Sequence, residues 1–210
     1  MRKRAIIKLG GSLIENGREI VEVLRVYAKE KEKDRHILVI PGGGPFVAEV
    51  RNYAYCLTEE AAHWMAILAM HQYGLFLAND ELLTVESLDE IDESFCIILP
   101  YQILKADDSL PHTWDVTSDT IAAFIAMKLG ERTFIKLTDV DGMLDEEGHL
   151  IERMRAEELI EAGRNGSCVD GALPAFLIQH KMCCIIINGN FTARVIDAME
   201  GKATRSTKLF

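Results

Sequence analysis

Short, continuous apolar segments that alternate with helical ones constrain the fold of this chain more than any other feature. The apolar segments are Ala5 to Leu9, His36 to Ile40, Phe95 to Leu99, Thr133 to Leu137 and Cys184 to Ile187. Strands that are apolar throughout are buried on both faces, and their alternation with helices is typical of a mainly parallel sheet. The sequence therefore predicts an α/β protein, a three-layer αβα sandwich with a mainly parallel central sheet.

The predicted helices lie between and after these strands. They are Glu19 to Glu32, a helix from about Pro45, Thr58 to Tyr73, Thr117 to about Leu129, Ala156 to Ala162, Leu173 to His180 and Thr192 to Met199. The helix that Thr58 is suited to cap is apolar on more than one face, so it is either central to the fold or part of a subunit interface. We expect a homo-oligomer built partly on it. The segment from Gly163 to Ser167 is predicted to be a loop.

The 210 residues suffice for a single domain and carry a net charge of −10. Nucleic acid and anionic membranes require a broad basic surface, so neither is an expected partner. The five cysteines are odd in number and form no CxxC pair, which argues against a disulfide framework or a zinc site. With no visible signal peptide or membrane-spanning run, the expected location is the reducing cytoplasm.

Lys8 stands inside the first apolar strand and is followed by Gly10, Gly11 and Ser12. An unpaired lysine is costly to bury, and two glycines let the backbone approach an anion closely. Together these residues are typical of a phosphate site. The alternative is an ordinary turn at the end of a strand, from which Lys8 reaches solvent.

A second glycine-rich turn, Pro41 to Gly44, follows the second strand. Three consecutive glycines indicate a backbone with unusual angles, and a nest of N–H groups for an anion explains them. The turn is not a P-loop, because no GK[ST] sequence follows. A flexible loop is the alternative.

Two polar motifs occur in the second half of the chain. In the segment from Thr117 to Thr120, Thr117 or Ser118 can cap a helix and Asp119 suits its dipole. The segment from Thr138 to Gly142 places two carboxylates directly after a buried strand. Such a turn can hold a ribose, order a lysine or lie near Mg²⁺, or it can be a simple Asp-Gly turn.

The order of these motifs resembles that of the amino acid kinase family, which includes acetylglutamate, aspartate, carbamate, uridylate and isopentenyl phosphate kinases. The resemblance extends from Lys8 to Lys208. It rests on KLGGS at Lys8 to Ser12, PGGG at Pro41 to Gly44, TSDTIAA at Thr117 to Ala123, TDVDG at Thr138 to Gly142 and INGN at Ile187 to Asn190. It implies a carbamate kinase-like fold and transfer of the γ-phosphoryl group of ATP, with Mg²⁺ carried by the ATP phosphates rather than by assigned protein ligands.

The resemblance also implies roles for individual residues. Lys8 would grip the transferring phosphoryl group and Asp119 would orient Lys8, so both are the predicted catalytic residues. The predicted nucleotide-binding residues are Gly10, Gly11, Ser12, Thr138, Asp139, Gly142 and Met143. The predicted acceptor-binding residues are Gly42, Gly43, Gly44, His63, His112, Trp114 and Ser118. Within the single domain, residues 1–115 are the expected acceptor-binding lobe and residues 116–210 the nucleotide-binding lobe.

The sequence departs from the family pattern at one position. Many members have a GGMxxK segment whose lysine neutralises phosphate charge, but Ala175 stands at that position here. Lys181 and Lys208 are the candidate replacements for this second phosphate lysine.

The segment from His112 to Asp119 is similar to the H-x-W-x-[IV]-T-S-D pattern of an archaeal branch of the family that acts in methanofuran biosynthesis. His63 to Met70, Gln179 to Met182 and the terminal Thr207-Lys208 also resemble that branch. Its enzyme uses ATP and Mg²⁺ to phosphorylate [5-(aminomethyl)furan-3-yl]methyl phosphate to the diphosphate. The resemblance therefore implies a small acceptor that already bears a phosphate.

Such an acceptor also carries an aromatic ring and an ammonium group. Trp114 and Phe46 are candidates to stack on the ring, and His63 or His112 to hydrogen-bond the phosphate. Asp115 is a candidate partner for the ammonium group. The alternatives are core packing for Trp114 and structural hydrogen bonds for the two histidines.

Two other functions remain open from the sequence. The first is a kinase that acts on uridylate or isopentenyl phosphate. The second is a non-catalytic nucleotide-binding or storage protein on the same fold, which the missing lysine at Ala175 leaves open. Release of ADP with any acceptor excludes the second, and a panel of phosphorylated acceptors separates the kinases.

Overall fold

The computed structural model describes residues 3–31, 35–91, 93–163 and 168–210, and its described strands form one sheet of eight. These are β1 (Lys3–Leu9), β2 (Arg35–Pro41), β3 (Thr84–Val85), β4 (Phe95–Ile98), β5 (Thr133–Thr138), β6 (Arg153–Met154), β7 (Cys183–Asn188) and β8 (Thr207–Leu209). Their order is β3-β4-β2-β1-β5-β7-β8-β6, and only β7 and β8 are antiparallel neighbours. The predicted mainly parallel sheet is confirmed.

Helices cover both faces of this sheet. They are α1 (Gly17–Glu30), α2 (Gly44–Asn52), α3 (Glu59–Ala78), α4 (Pro100–Ala106), α5 (Ser118–Lys128), α6 (Ala156–Glu161), α7 (Leu173–His180) and α8 (Thr192–Met199). The hydroxyl of Thr58 accepts a hydrogen bond from the N–H of Ala61, so the predicted cap of α3 is confirmed. The predicted αβα architecture is confirmed as well.

The elements that the sequence did not predict are short. They are the strands β3, β6 and β8, of two or three residues each, and the seven-residue helix α4. Elements of this length carry too few residues for a periodic pattern, and they depend on neighbours that the sequence does not reveal. The predicted end of the first helix, Glu32, and residues 164–167 of the predicted loop lie outside the described residues.

The sheet separates two apolar cores. Because side chains alternate along a strand, Ile6 of β1 belongs to one core and Ile7 to the other. Lys8 shares the face of Ile6, which α5, α6 and α7 cover. The opposite face is covered mainly by α1, α8 and the second half of α3. This alternation decides which charged side chains can meet beside the sheet.

The carboxyl ends of β1, β2, β5 and β7 lie at one edge of the sheet, because these strands are parallel. Both glycine-rich turns, the turn after Thr138 and the Asn188-Gly189 turn therefore meet there. This edge is the usual ligand-binding position of open α/β sheets.

Helix α3 contributes to both cores, which explains much of its apolar character. Trp64 and Ile67 lie in one core and Tyr73 in the other. Met65, Leu68 and Leu75 nevertheless remain exposed. In the described part of the chain, no helix combines the length and the apolar character needed to cross a membrane.

Candidate active site

Three buried charged side chains meet beside the sheet. The ammonium nitrogen of Lys8 lies 2.8 Å from Oδ1 of Asp119, and that of Lys136 lies 2.5 Å from Oδ2. Lys8 and Lys136 are each 5% exposed and Asp119 is 3% exposed. Lys8 therefore does not reach solvent, which excludes the simple turn as an account of the first motif.

The two lysines contact Asp119 differently. Lys136 donates hydrogen bonds to Oδ2 and to the backbone carbonyl of Cys168. Lys8 forms a close ion pair, but the contact is not aligned as a hydrogen bond to Oδ1. Among the described residues Lys8 has only this one polar contact, so it keeps N–H groups for an incoming anion, whereas two of the three N–H groups of Lys136 are already used.

The pKa values of the three groups reflect their burial and their proximity. Burial alone would raise the pKa of Asp119, but the charges of Lys8 and Lys136 outweigh it and lower the pKa to about 2. Burial lowers the pKa of Lys8, and the charge of Lys136 lowers it further against the attraction of Asp119. For Lys136, the attraction of Asp119 outweighs burial and raises the pKa. Asp119 is therefore ionised at neutral pH.

Asp170 joins this cluster from the segment before α7. Its Oδ2 accepts hydrogen bonds from the N–H groups of Thr117 and Thr120, and its Oδ1 from the N–H of Leu173. Asp170 thereby caps both α5 and α7, whereas the predicted cap by the hydroxyl of Thr117 or Ser118 is not formed. Burial, reinforced by Asp119, raises the pKa of Asp170.

The two glycine-rich turns touch each other through their backbones. A Cβ on Gly11 would lie 2.4 Å from the Cα of Gly44, which no side chain can tolerate. Gly44 also has φ of 55°, a conformation that favours glycine. The N–H groups of Gly10 and Gly42 donate to Leu137 and Leu9. Those of Gly11, Ser12, Gly43 and Gly44 have no backbone acceptor among the described residues, so they can bind an anion.

The turn after β5 is tied to its surroundings by polar contacts. The Thr138 hydroxyl lies 3.5 Å from that of Ser12 and donates to Asp139. Asp141 accepts hydrogen bonds from Arg194 and Asn188. Thr138, Ser12 and the exposed Asp139 therefore lie at the edge where the predicted nucleotide site should be.

Two of the residues predicted to bind nucleotide have structural roles. Gly142 packs against Thr207, because a Cβ there would lie 2.3 Å from the Thr207 hydroxyl. Met143 is buried in the core, its N–H donates to Thr207 and its carbonyl accepts from Ile151. The side chain and the N–H of Met143 are thus engaged in structural contacts, and its role in nucleotide binding stays a prediction.

A largely apolar cavity adjoins the cluster. Its lining consists of Gly43, Val47, Arg51, Glu59, His63, Ala66, Ile67, Met70, Thr113, Trp114, Val116, Thr117, Ser118 and Ile121. Gly43 and Ser118 belong to the second glycine turn and to the start of α5, next to Asp119. The cavity therefore opens where a phosphate bound to the glycine turn would lie.

Of the residues predicted to bind the acceptor, Gly43, His63, Trp114 and Ser118 line this cavity. Trp114 is 38% exposed, which excludes core packing. His112 is not among the described lining residues. It stacks on His63 with ring centroids 4.3 Å apart, and its Nε2 lies 2.7 Å from Asp108, which matches the structural alternative. Burial, reinforced by His112, lowers the pKa of His63 to about 4, so His63 is neutral at pH 7.

Phe46, the other candidate to stack on the acceptor ring, and Asp115, the candidate partner for its ammonium group, lie elsewhere. Phe46 packs against Tyr73 and Phe76, in the core on the far side of the sheet from the cavity lining. Asp115 lies against the backbone of Gly171 and is not among the described lining residues. Phe46 and Asp115 thus lie apart from the described lining of the cavity that includes Trp114.

The structure places both predicted replacements for the missing lysine, Lys181 and Lys208, away from the cluster of Lys8 and Asp119. Lys181 precedes β7, whereas Ile186, the register partner of Lys136, lies near its carboxyl end. The rise from Cys183 to Ile186 alone is about 10 Å. Lys208 pairs with Ile185, whose side chain is on the face opposite Lys8. Lys136 is the second lysine of the cluster, and its place inside an apolar strand was the signal that could have identified it.

Comparison with known proteins establishes the family. The model of the amino acid kinase family matches residues 3–188. A [5-(aminomethyl)furan-3-yl]methyl phosphate kinase from Methanocaldococcus jannaschii is 34% identical, over 97% of this chain and 96% of its own. An acetylglutamate kinase from Parvibaculum lavamentivorans is 28% identical over 64% of this chain and 41% of its own.

Solved structures agree on the fold. A uridylate kinase from Archaeoglobus fulgidus has a TM-score of 0.71 at 18% identity and covers 100% of both chains. A UMP kinase from Ureaplasma parvum has a TM-score of 0.73 at 15% identity, covering 99% of this chain and 96% of its own. The chain belongs to the amino acid kinase family and is a phosphotransferase, as the sequence predicted.

Proposed function

We propose that this chain transfers the γ-phosphoryl group of ATP to a small phosphorylated acceptor, [5-(aminomethyl)furan-3-yl]methyl phosphate, and forms the diphosphate. The observation that carries the proposal is the position of the largely apolar cavity, whose lining includes Trp114 and reaches Ser118, the residue before the buried Asp119. The relative from Methanocaldococcus jannaschii, which matches nearly the whole chain, supports this acceptor.

In this proposal Lys8 donates hydrogen bonds to the transferring phosphoryl group. Asp119 holds the Lys8 ammonium in place, and Lys136 holds Asp119 from its other oxygen. The N–H groups of the two glycine turns face the phosphates of ATP and of the acceptor. Phosphoryl transfer depends mainly on positioning and charge neutralisation, which such an arrangement supplies. Mg²⁺ entering with ATP would neutralise further phosphate charge.

The cavity also refines the proposed division into lobes. Residues from Gly43 to Trp114 and residues from Val116 to Ile121 line it together. We therefore propose that residues 1–115 and the start of α5 bind the acceptor. The remainder of residues 116–210, with Thr138 and Asp139 at the sheet edge, would bind nucleotide together with Gly11 and Ser12.

The test is coupled ADP release with ATP and Mg²⁺ and a panel of acceptors at equal concentration, followed by mass identification of the product. The panel contains the aminomethylfuran phosphate, uridylate, isopentenyl phosphate and acetylglutamate. The proposal expects the highest kcat/KM with the furan and a diphosphate product. Faster turnover of uridylate or isopentenyl phosphate would reject this acceptor but keep the kinase. Absence of ADP release with every acceptor would favour the non-catalytic alternative.

We also propose a homo-oligomer whose interface includes α3. Met65, Leu68 and Leu75 are large, exposed and spaced to lie on one face of that helix. Light scattering should show an assembly at micromolar concentration that Leu68→Glu weakens. Val26→Glu, on the exposed side of α1, is the matched control and should leave the assembly intact. A monomeric wild-type protein would contradict the proposal.

A further inference from the structure

The cavity beside the cluster has charged residues at one end only. Gly43 precedes α2 and Arg51 lies in its last turn, and both line the cavity. Their separation along the helix axis is about 12 Å. Glu59, in the first turn of α3, lines the cavity as well. The cavity thus extends along α2 from the glycine turn to a mouth that carries one positive and one negative side chain.

Glu59 has no partner among the residues that the structure describes. Its carboxylate forms neither an ion pair nor a hydrogen bond with any described residue. A free carboxylate at the mouth of a site for two anionic substrates repels both of them. Besides its interaction with the dipole of α3, this carboxylate is available to a positive charge that the ligand brings to the same end of the cavity.

We propose that Glu59 binds a cationic group of the acceptor and so selects phosphorylated amines over phosphorylated acceptors that lack a cation. This inference rests on the proposed function and adds the residue that determines specificity. The acceptor phosphate lies at the Gly43 and Ser118 end, the ring lies beside Trp114, and the ammonium group faces Glu59. Glu59 takes the role that the sequence analysis gave to Asp115.

Arg51 also lines the cavity, and its positive charge could pair with Glu59 in place of the ligand's cation. Its guanidinium carbon lies 5.5 Å from the centroid of the Trp114 ring, and Arg51 forms no ion pair with any described residue. If Arg51 neutralised Glu59 instead of resting on Trp114, the mouth would not distinguish a cation. The experiment therefore includes an Arg51→Gln variant.

The neighbouring Glu60 provides a matched control. Both residues stand in the first turn of α3, where a carboxylate stabilises the helix dipole, and both are exposed. Only Glu59 lines the cavity. Glu59→Gln and Glu60→Gln thus remove the same charge from the same turn, and they differ in what the carboxylate faces.

The experiment measures kcat and KM by coupled ADP release with two acceptors. One is the aminomethylfuran phosphate, and the other is the same molecule with a methyl group in place of the aminomethyl group. Glu59→Gln should lower kcat/KM for the amine by roughly 10- to 100-fold, the range of one charge-assisted hydrogen bond. The loss should appear mainly in KM, because the contact is distant from the reacting atoms. In Glu59→Gln the kcat/KM for the methyl acceptor should not fall. Glu60→Gln should leave kcat/KM unchanged for both acceptors.

Several results would overturn the inference. These are an equal loss of kcat/KM for both acceptors in Glu59→Gln, a similar loss in Glu60→Gln, and a preference for the amine that appears only in Arg51→Gln. If the furan is the best acceptor and Glu59→Gln is neutral, the proposed function stands and the inference fails. If the panel identifies an acceptor without a cation, such as uridylate, both fail. If it identifies another amine, only the furan assignment fails, and Glu59→Gln must lower its kcat/KM.

Discussion

Strands β1 and β5 carry the same local pattern and place a lysine at the same level of the sheet. Ile7-Lys8-Leu9 and Ile135-Lys136-Leu137 are register partners, and both ammonium groups reach Asp119. Their environments nevertheless differ. Lys136 donates hydrogen bonds to Asp119 and Cys168, and its pKa is raised, whereas Lys8 contacts Asp119 as a close ion pair and its pKa is lowered.

The difference indicates a division of labour between two lysines that share one carboxylate. Lys136 holds one oxygen of Asp119, and the other oxygen holds Lys8 through a single contact. Lys136 donates to the carbonyl of Cys168. Lys8 instead precedes the Gly11 turn, whose N–H groups have no backbone acceptor among the described residues. We therefore propose that the strand followed by glycines supplies the lysine that contacts substrate, and that the other strand supplies the lysine that positions it.

Asp119→Asn should have the largest effect, because it removes the partner of both lysines at once. Two buried ammonium groups would lose their counter-charge, and we expect the free energy of unfolding to fall by about 3–5 kcal/mol. Urea unfolding at pH 7 measures this loss. An unchanged free energy of unfolding would show that the lysines do not depend on Asp119.

Asp119→Asn should also change how the stability of the protein depends on pH in the acidic range. The pKa of Asp119 in the folded protein is about 2, below its value in the unfolded chain. Asp119 therefore contributes stability that is complete above the unfolded pKa of about 3.9 and is lost as the pH falls towards 2. The Asp119→Asn protein should lack this part of the acid dependence. Parallel acid profiles for the two proteins would contradict the assignment.

Lys8→Met should separate catalysis from stability. We expect kcat to fall by about 10²–10³, as for the removal of one preorganised charge contact. Stability should be maintained, because a methionine fills the same space without the cost of burying a charge. Coupled ADP release and urea unfolding of the same preparation test both statements. Normal turnover in Lys8→Met would reject the proposed role of this lysine.

Lys136→Met should reduce kcat less than Lys8→Met does. Its role is to hold Asp119, and the loss of one hydrogen bond to a charged group corresponds to roughly a tenfold effect. Lys136→Arg, which keeps the charge, should recover part of the rate, whereas a purely space-filling role predicts the better result with methionine. Equal losses of kcat in Lys8→Met and Lys136→Met would remove the distinction between the two lysines.

The smallest expected effect is a shift in the alkaline limb of the pH profile of kcat/KM. The pKa of Lys8 is lowered mainly by burial and further by the charge of Lys136. In the free enzyme Lys8 thus loses its proton at a lower pH than an ordinary lysine. Lys136→Met removes one cause, so the alkaline limb should move to higher pH. A limb that stays in place would show that Lys8 does not control it.

Much of the fold was predictable because its signals are local. The apolar runs of the five main strands and the helical segments between them are visible over a few residues, and so are the glycines that the close contact of Gly11 and Gly44 requires. Lys8 was recognised because glycines follow it. Lys136 has the same position in its strand, but Thr138 and Asp139 follow it, and it was missed.

The sequence by itself determined the αβα architecture and the two glycine turns, and its family resemblance implied that Asp119 orients Lys8. The tertiary structure decided which charges meet. Strand register joined Lys136 to Lys8, and the alternation of side chains placed Lys208 on the wrong face of the sheet. The packing of α2 and α3 brought Glu59 to the cavity, whereas Asp115 lies against Gly171. The physical reason is that the apolar pattern of a strand or helix and the backbone conformation of a turn are set by residues close together in the chain. Contacts between charges depend instead on strand register, on the face of the sheet and on distance in space.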